Sequence, residues 1–193
     1  MKYMHIPTII LSSIEVKRTL LQNERLLLKI ESAVNVIVDS LCKGGKLHFC
    51  GNGGSAADAQ HLAAELSGRF YIDREPLNAE ALHCNTSYLT AVANDYGYEY
   101  IYSRLLKGTG KRGDVLVGLS TSGNSENMIK AFETAKEMEI ITIALTGEEG
   151  GQLKNLSDIL INIPSNCTPR IQECHTLVGH IICEGVEEKL FKK

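Results

Sequence analysis

The chain has no basic block, no apolar run of bilayer length, no C-x-x-C pair, no internal repeat and no low-complexity segment. Twenty Lys and Arg stand against twenty-three Asp and Glu, a formal charge of −3. Such a balance offers nucleic acid no electrostatic footprint, so no nucleic-acid partner is expected and any anion binding must be local. The longest apolar stretches fall well short of the roughly 20 residues that cross a bilayer. The amino terminus lacks a basic region followed by a hydrophobic signal core. No membrane partner and a cytoplasmic location are therefore expected. Six cysteines (42, 50, 84, 167, 174 and 183) without metal-type spacing, in a domain large enough to do without staples, are expected to be free thiols. Cys50 and Cys84 lie in apolar runs and read as buried small hydrophobes, whereas Cys167 falls in a loop.

What the sequence does contain is alternation. Leu20, Leu21, Leu27, Leu28, Val34, Ile37, Val38 and Leu41 recur near helical spacing, which predicts one long helix over 14–42 ended by Gly44-Gly45. Short apolar runs at 46–50, 79–84, 115–119, 140–145 and 159–163 then alternate with helical stretches at 56–66, 98–107 and 126–138. That order predicts an α/β fold, a parallel sheet flanked by helices in three layers over about 46–163. A last helix is expected over 170–191, after a loop bracketed by Pro164 and Pro169. No linker divides the chain, and 193 residues suit a single domain over 1–193.

Two of the strands run into hydroxyl- and glycine-rich loops. Ser120-Thr121-Ser122-Gly123-Asn124-Ser125 follows one, and Gly51-Asn52-Gly53-Gly54-Ser55 follows another. Either loop alone also fits an ordinary turn or helix cap. Two of them, each opening a helix, suit a phosphate, because the first helical turn leaves its N–H donors unpaired and carries partial positive charge. Gly51, Gly53 and Ala56 satisfy G-x-G-x-x-A. A dinucleotide site does not require the second loop, so no nucleotide cofactor is expected and a sugar phosphate fits better.

His61 and Glu65 are four apart on the helix launched by the first loop and share one face. The pair reads either as a surface contact or, beside a phosphate loop, as a base or metal ligand. The last helix carries Arg170-Ile171-Gln172-Glu173-Cys174-His175 and then His180 within an apolar series. His175 reads as structural, and His5, His48 and His83 have no supporting constellation. Tyr96, Tyr98, Tyr100 and Tyr102 read as packing or a subunit contact rather than a base-stacking platform.

Taken together, these marks resemble the sugar isomerase (SIS) domain family, in its bacterial phosphoheptose isomerase branch. The resemblance rests on residues 50–55, His61 with Glu65, Ala93-Asn94-Asp95, residues 120–125, and Arg170-Ile171-Gln172-Glu173 followed by His180. It implies a flavodoxin-like SIS fold and an aldose-ketose isomerase acting on a phosphorylated seven-carbon sugar through an enediol or enediolate. By the same resemblance Glu65 and His180 are the acid and base, and Ser55, Ser120, Thr121, Ser122 and Ser125 hold the phosphate. Asn52, Gly53, Gly54, Glu65, Asn94, Asp95 and Gln172 contact substrate, and His61, Glu65, Gln172 and His180 bind zinc. A homotetramer with sites at its subunit interfaces is also implied. Gln172 is an unusual zinc ligand and, on an ideal helix, stands about 12 Å of rise from His180. Two other readings stay open: a non-catalytic relative that associates with a replication initiator, and an isomerase for a different sugar phosphate.

Overall fold

The computed structural model describes residues 5–192. Five parallel strands, β1 (Leu47–Gly51), β2 (Ala79–Ala81), β3 (Val115–Ser120), β4 (Ile141–Thr146) and β5 (Ile159–Asn162), form one sheet in the order β2-β1-β3-β4-β5. This is the doubly wound order whose direction reverses between β1 and β3. The two loops singled out above follow those two strands.

Both faces of the sheet are covered, so its strands are apolar on both sides. Leu47, Phe49, Val115, Val117, Leu119, Ile143 and Leu145 pack beneath α1 (Ile6–Gln22), α2 (Glu24–Cys42), α3 (Gly54–Ser67) and α8 (Thr168–Phe191). Cys50, Leu116 and Ala144 face the other layer, built by α4 (Thr86–Asp95), α5 (Ile101–Thr109), α6 (Glu126–Glu137) and the short α7 (Leu153–Leu156). The period-two side-chain alternation of a strand sorts the two sets.

The one helix expected over 14–42 is two helices, starting at Ile6 and broken at Asn23. Asn23 leaves helical geometry, and its side chain accepts a hydrogen bond from the Leu26 N–H at 3.1 Å. An asparagine N-cap thus restarts the helix inside an unbroken apolar pattern. The expected strand over 79–84 is only three residues long, and the chain after it turns into α4, which the apolar pattern did not announce. Cys84 consequently lies exposed rather than buried, whereas Cys50 is buried and Cys167 exposed as expected; all six cysteines are unpaired. Tyr98 to Tyr100 form a 3₁₀ turn leading into α5.

At the opposite end of the sheet from the loops, Asp114 ties strand starts together. Its carboxylate accepts from the Lys46 and Lys111 N–H groups and pairs with the buried His48 imidazole at 3.1 Å. Burial lowers the His48 pKa, with the Asp114 hydrogen bond opposing it. Among the described residues no helix is long and apolar enough to cross a membrane.

Candidate active site

β1 delivers the chain to Asn52 and Gly53 at the carboxyl end of the sheet. Gly53 adopts φ +56°, ψ −120°, a conformation that a Cβ would strain. It caps α3 with no side-chain hydrogen bond; the Ser55 and Ala56 N–H groups close onto the Asn52 and Gly53 carbonyls, which leaves the Gly54 N–H as the unpaired donor of this turn. β3 delivers Ser120, and Ser125 caps α6 in extended geometry, again without a side-chain cap bond. Both the Ser125 hydroxyl and the positive end of α6 remain available. Asn52, Ser55, Leu119, Ser120, Thr121, Ser122, Ser125 and Gln172 enclose a pocket of about 80 Å³. Its lining is mostly hydroxyl and amide, at the switch point where open α/β sheets hold ligands. The second loop is shaped from within: the Gly123 N–H donates to Ser120 Oγ, and Asn124 Oδ1 accepts from the Gln152 N–H.

Helices α3 and α8 lie side by side and run in the same direction. Gln172 Nε2 sits 2.9 Å from where a Cβ on Gly54 would be. The Thr176 hydroxyl donates to Asp58 at 3.1 Å. At Gly179 an added Cβ would stand 2.5 Å from Leu62 Cδ1. That close approach places His180 beside His61: the Nε2 atoms are 2.8 Å apart and the rings meet edge to face. Glu65 Oε1 stands 3.4 Å from His61 Nε2, and ligand atoms of His61, Glu65 and His180 all lie within 4.8 Å of one another. Phe70 packs against the His180 ring at 5.7 Å.

The donor set suits zinc. Two ligand atoms about 2.0–2.1 Å from a tetrahedral ion are separated by about 3.3 Å, close to the spacings of 2.8 and 3.4 Å here. Two histidines and a glutamate are also a known catalytic zinc set that keeps one position open, and His61 is exposed on this surface. Gln172 stands apart from this trio. It lines the hydroxyl-rich pocket against Gly54, about 10 Å of helix rise before His61 along α3.

Asn94 and Asp95 end α4, exposed and hydrogen-bonded to each other at 2.8 Å, outside the lining of that pocket. His175 is fully buried, its Nε2–H donating to the Thr146 carbonyl at 3.1 Å, in keeping with a structural role.

Several residues that sequence reasoning passed over brace the site. Glu187, buried on α8, accepts from the Phe70, Tyr71 and Ile72 N–H groups and from Arg74 Nε. Burial raises the Glu187 pKa, but these four donors outweigh it and hold the carboxyl below its ordinary value. Arg74 in turn donates to the Glu65, Leu66 and Gly68 carbonyls at the end of α3. Asn127 and Tyr98 bond to Asn52, and the Tyr102 hydroxyl donates to the Gly51 carbonyl. Of these braces, only Tyr98 and Tyr102 stand out in the sequence, as members of the tyrosine series read as packing or a subunit contact.

Known proteins resemble this chain in sequence and in fold. Residues 14–147 match the SIS domain family. The chain is 51% identical over 181 residues to phosphoheptose isomerase 2 of Campylobacter jejuni, covering 94% of this chain and 90% of that protein. It is 50% identical over 188 residues to a phosphoheptose isomerase of Aneurinibacillus thermoaerophilus, covering 97% and 95%. The solved structure of phosphoheptose isomerase GmhA from Neisseria gonorrhoeae superimposes with a TM-score of 0.89 at 41% identity, over 95% of this chain and 97% of that one. A phosphoheptose isomerase from Francisella tularensis does so at 0.91 and 38% identity, over 95% and 96%.

Proposed function

The chain belongs to the SIS-domain family and, within it, to the phosphoheptose isomerases; on that footing we propose how its own residues convert D-sedoheptulose 7-phosphate to D-glycero-D-manno-heptose 7-phosphate. The observation that carries the reading is the convergence of Glu65, His61 and His180 two helical turns from a hydroxyl-lined pocket at the switch point. Ser55, Ser120, Thr121, Ser122 and Ser125 grip the phosphate. Asn52, Gly53, Gly54 and Gln172 line the path from it, and Asn94 and Asp95 meet the substrate from α4. The sugar then extends along α3 toward its carbonyl end.

There Glu65 takes the proton from C1 of the ketose and returns it to C2, while His180 serves the neighbouring oxygens, so the intermediate is a cis-enediol or enediolate. No atom is gained or lost: the C1 proton moves to C2 and the O1 hydroxyl proton to O2. His61, Glu65 and His180 would hold a zinc ion, with Gln172 as a further ligand from another subunit, and Glu65 would leave the ion when it acts as base. The ion, when bound, polarises the carbonyl and its adjacent hydroxyl as a Lewis acid.

Four copies form the working unit in this reading, and the exposed apolar surface of α1 supports it. Ile6, Ile10, Leu11 and Leu21 are each more than half exposed, more apolar surface than a lone helix leaves in water without a partner. The reaction is placed in the cytoplasm, supplying heptose for a surface polysaccharide of the lipopolysaccharide or capsule kind.

Incubation with sedoheptulose 7-phosphate, followed by NMR, tests the reading. Aldoheptose signals are expected with the wild type and about 10²–10⁴-fold slower with Glu65→Gln. Full turnover by that variant removes the carboxylate from the proton-transfer role.

A further inference from the structure

Asn52 does not stand free at the rim of the phosphate-type pocket. Its Nδ2 donates to Asn127 Oδ1 at 2.9 Å, and Asn127 Nδ2 donates back to Asn52 Oδ1 at 2.8 Å. The two amides therefore form a closed pair. The Tyr98 hydroxyl donates to the same Asn52 Oδ1 at 3.1 Å. An amide oxygen has two lone pairs and an amide nitrogen two hydrogens. Both acceptor positions of Asn52 are thus occupied, and one of its two donors is spent. The remaining N–H belongs to a side chain that lines the pocket.

Asn127 is fitted for holding rather than for contacting substrate. It is 2% exposed, lies in the first turn of α6 just past the second phosphate-type loop, and is absent from the pocket lining. Its bond to Asn52 therefore ties the loop after β1 to the loop after β3 across the site. Tyr102 adds a third brace on the Gly51 carbonyl. A part-buried amide pair of this kind is geometrically demanding, because the buried Asn127 left alone keeps unsatisfied polar atoms.

We propose that Asn127 is a positioning residue: together with the Tyr98 hydroxyl it locks the Asn52 amide so that its one free N–H is presented to an oxygen of the phosphorylated sugar. The inference rests on the isomerase reading for the identity of that sugar, and the tyrosine series thereby gains a part in the site. Asn127 and Tyr98 act on substrate only through Asn52.

A double-mutant cycle tests this. kcat and KM for sedoheptulose 7-phosphate, and the calorimetric Kd for inorganic phosphate, are measured for the wild type, Asn127→Ala, Asn52→Ala and the double variant. Asn127→Ala is expected to lower kcat/KM about 10- to 100-fold, since small misplacements at a site are costly, and to weaken phosphate binding. In the Asn52→Ala background the same substitution is expected to change either quantity less than about twofold, because coupled residues are not additive. An equal loss in both backgrounds assigns Asn127 to packing alone and overturns the proposal, as does no loss in the wild type. Should Asn127→Ala fail to fold, Tyr98→Phe removes only an exposed residue's hydroxyl, and its cycle with Asn52→Ala decides by the same criterion. A wild type that leaves sedoheptulose 7-phosphate unchanged refutes the isomerase reading, and the phosphate cycle still decides the positioning claim.

Discussion

The Nε2 atoms of His61 and His180 lie 2.8 Å apart although their residues come from different helices, α3 and α8. An N–H of one ring donating to the bare nitrogen of the other satisfies that spacing, and so does a cation held between them with Glu65 beside it.

Purified protein is accordingly expected to carry about one zinc ion per chain. Elemental analysis checks the content. Chelation should abolish turnover and added zinc restore it, and His61→Ala should lose bound metal while retaining the fold by circular dichroism. Undiminished activity of metal-free enzyme rules out an essential ion.

Gly179→Ala is expected to disable the enzyme from outside the chemistry. The new methyl group would fall 2.5 Å from Leu62 Cδ1, pushing α8 off α3 and His180 away from His61. Overpacking of this kind costs about 1–3 kcal/mol. A fall in melting temperature together with a loss of kcat is the expected result; wild-type kcat would separate the helix contact from the geometry of the site.

Glu187→Gln should be among the most destabilising single changes. It removes the negative charge that faces the buried Arg74 guanidinium, whose ion-pairing side chain is 2% exposed, and disturbs three backbone hydrogen bonds. Breaking a buried pair on one side costs about 3–5 kcal/mol. Because Arg74 also holds the Glu65 carbonyl and the same loop sets Phe70 against His180, activity is expected to fall as well. Denaturant unfolding and turnover on one preparation read both effects.

Acid should weaken the fold well before the carboxylates titrate. Burial pushes the His175 pKa down from 6.5 to about 4, only partly offset by its hydrogen bond to Thr146. The folded state thus binds fewer protons than the unfolded one between these values. Stability is complete above pH 6.5 and declines as the pH falls toward 4, by up to roughly 3 kcal/mol from this residue. His48, also lowered by burial, acts in the same direction. Unfolding midpoints from pH 7 to 4 should fall less steeply for His175→Gln; superimposable acid arms would exclude His175 as the cause.

Much of this molecule was legible before folding. Strands β1, β3, β4 and β5 stood out as short apolar runs, and both pocket loops were visible as glycine and hydroxyl clusters at strand ends, since turn chemistry is local. The α1–α2 break was not legible, because Asn23 sits in an apolar period that continues through it and a single cap outweighs that pattern. Helix α4 was hidden for a related reason: only Val92 of its ten residues is buried, which leaves little periodicity to read. Glu187 and Arg74 are 113 residues apart, and nothing in either neighbourhood marks them as partners.

The sequence by itself determined the layer order, the two anion-ready loops and the chemical types available for catalysis, because hydrophobic period, glycine placement and helix capping act over a few residues. Only the tertiary structure decided that His180 meets His61, that Gln172 lies instead by the loop at Gly54, and that Asn127 holds Asn52. Those outcomes depend on how closely α3 and α8 approach and on the reversal of strand order between β1 and β3. Both are set by packing between segments more than a hundred residues distant or by strand pairing across the sheet, which no local pattern encodes.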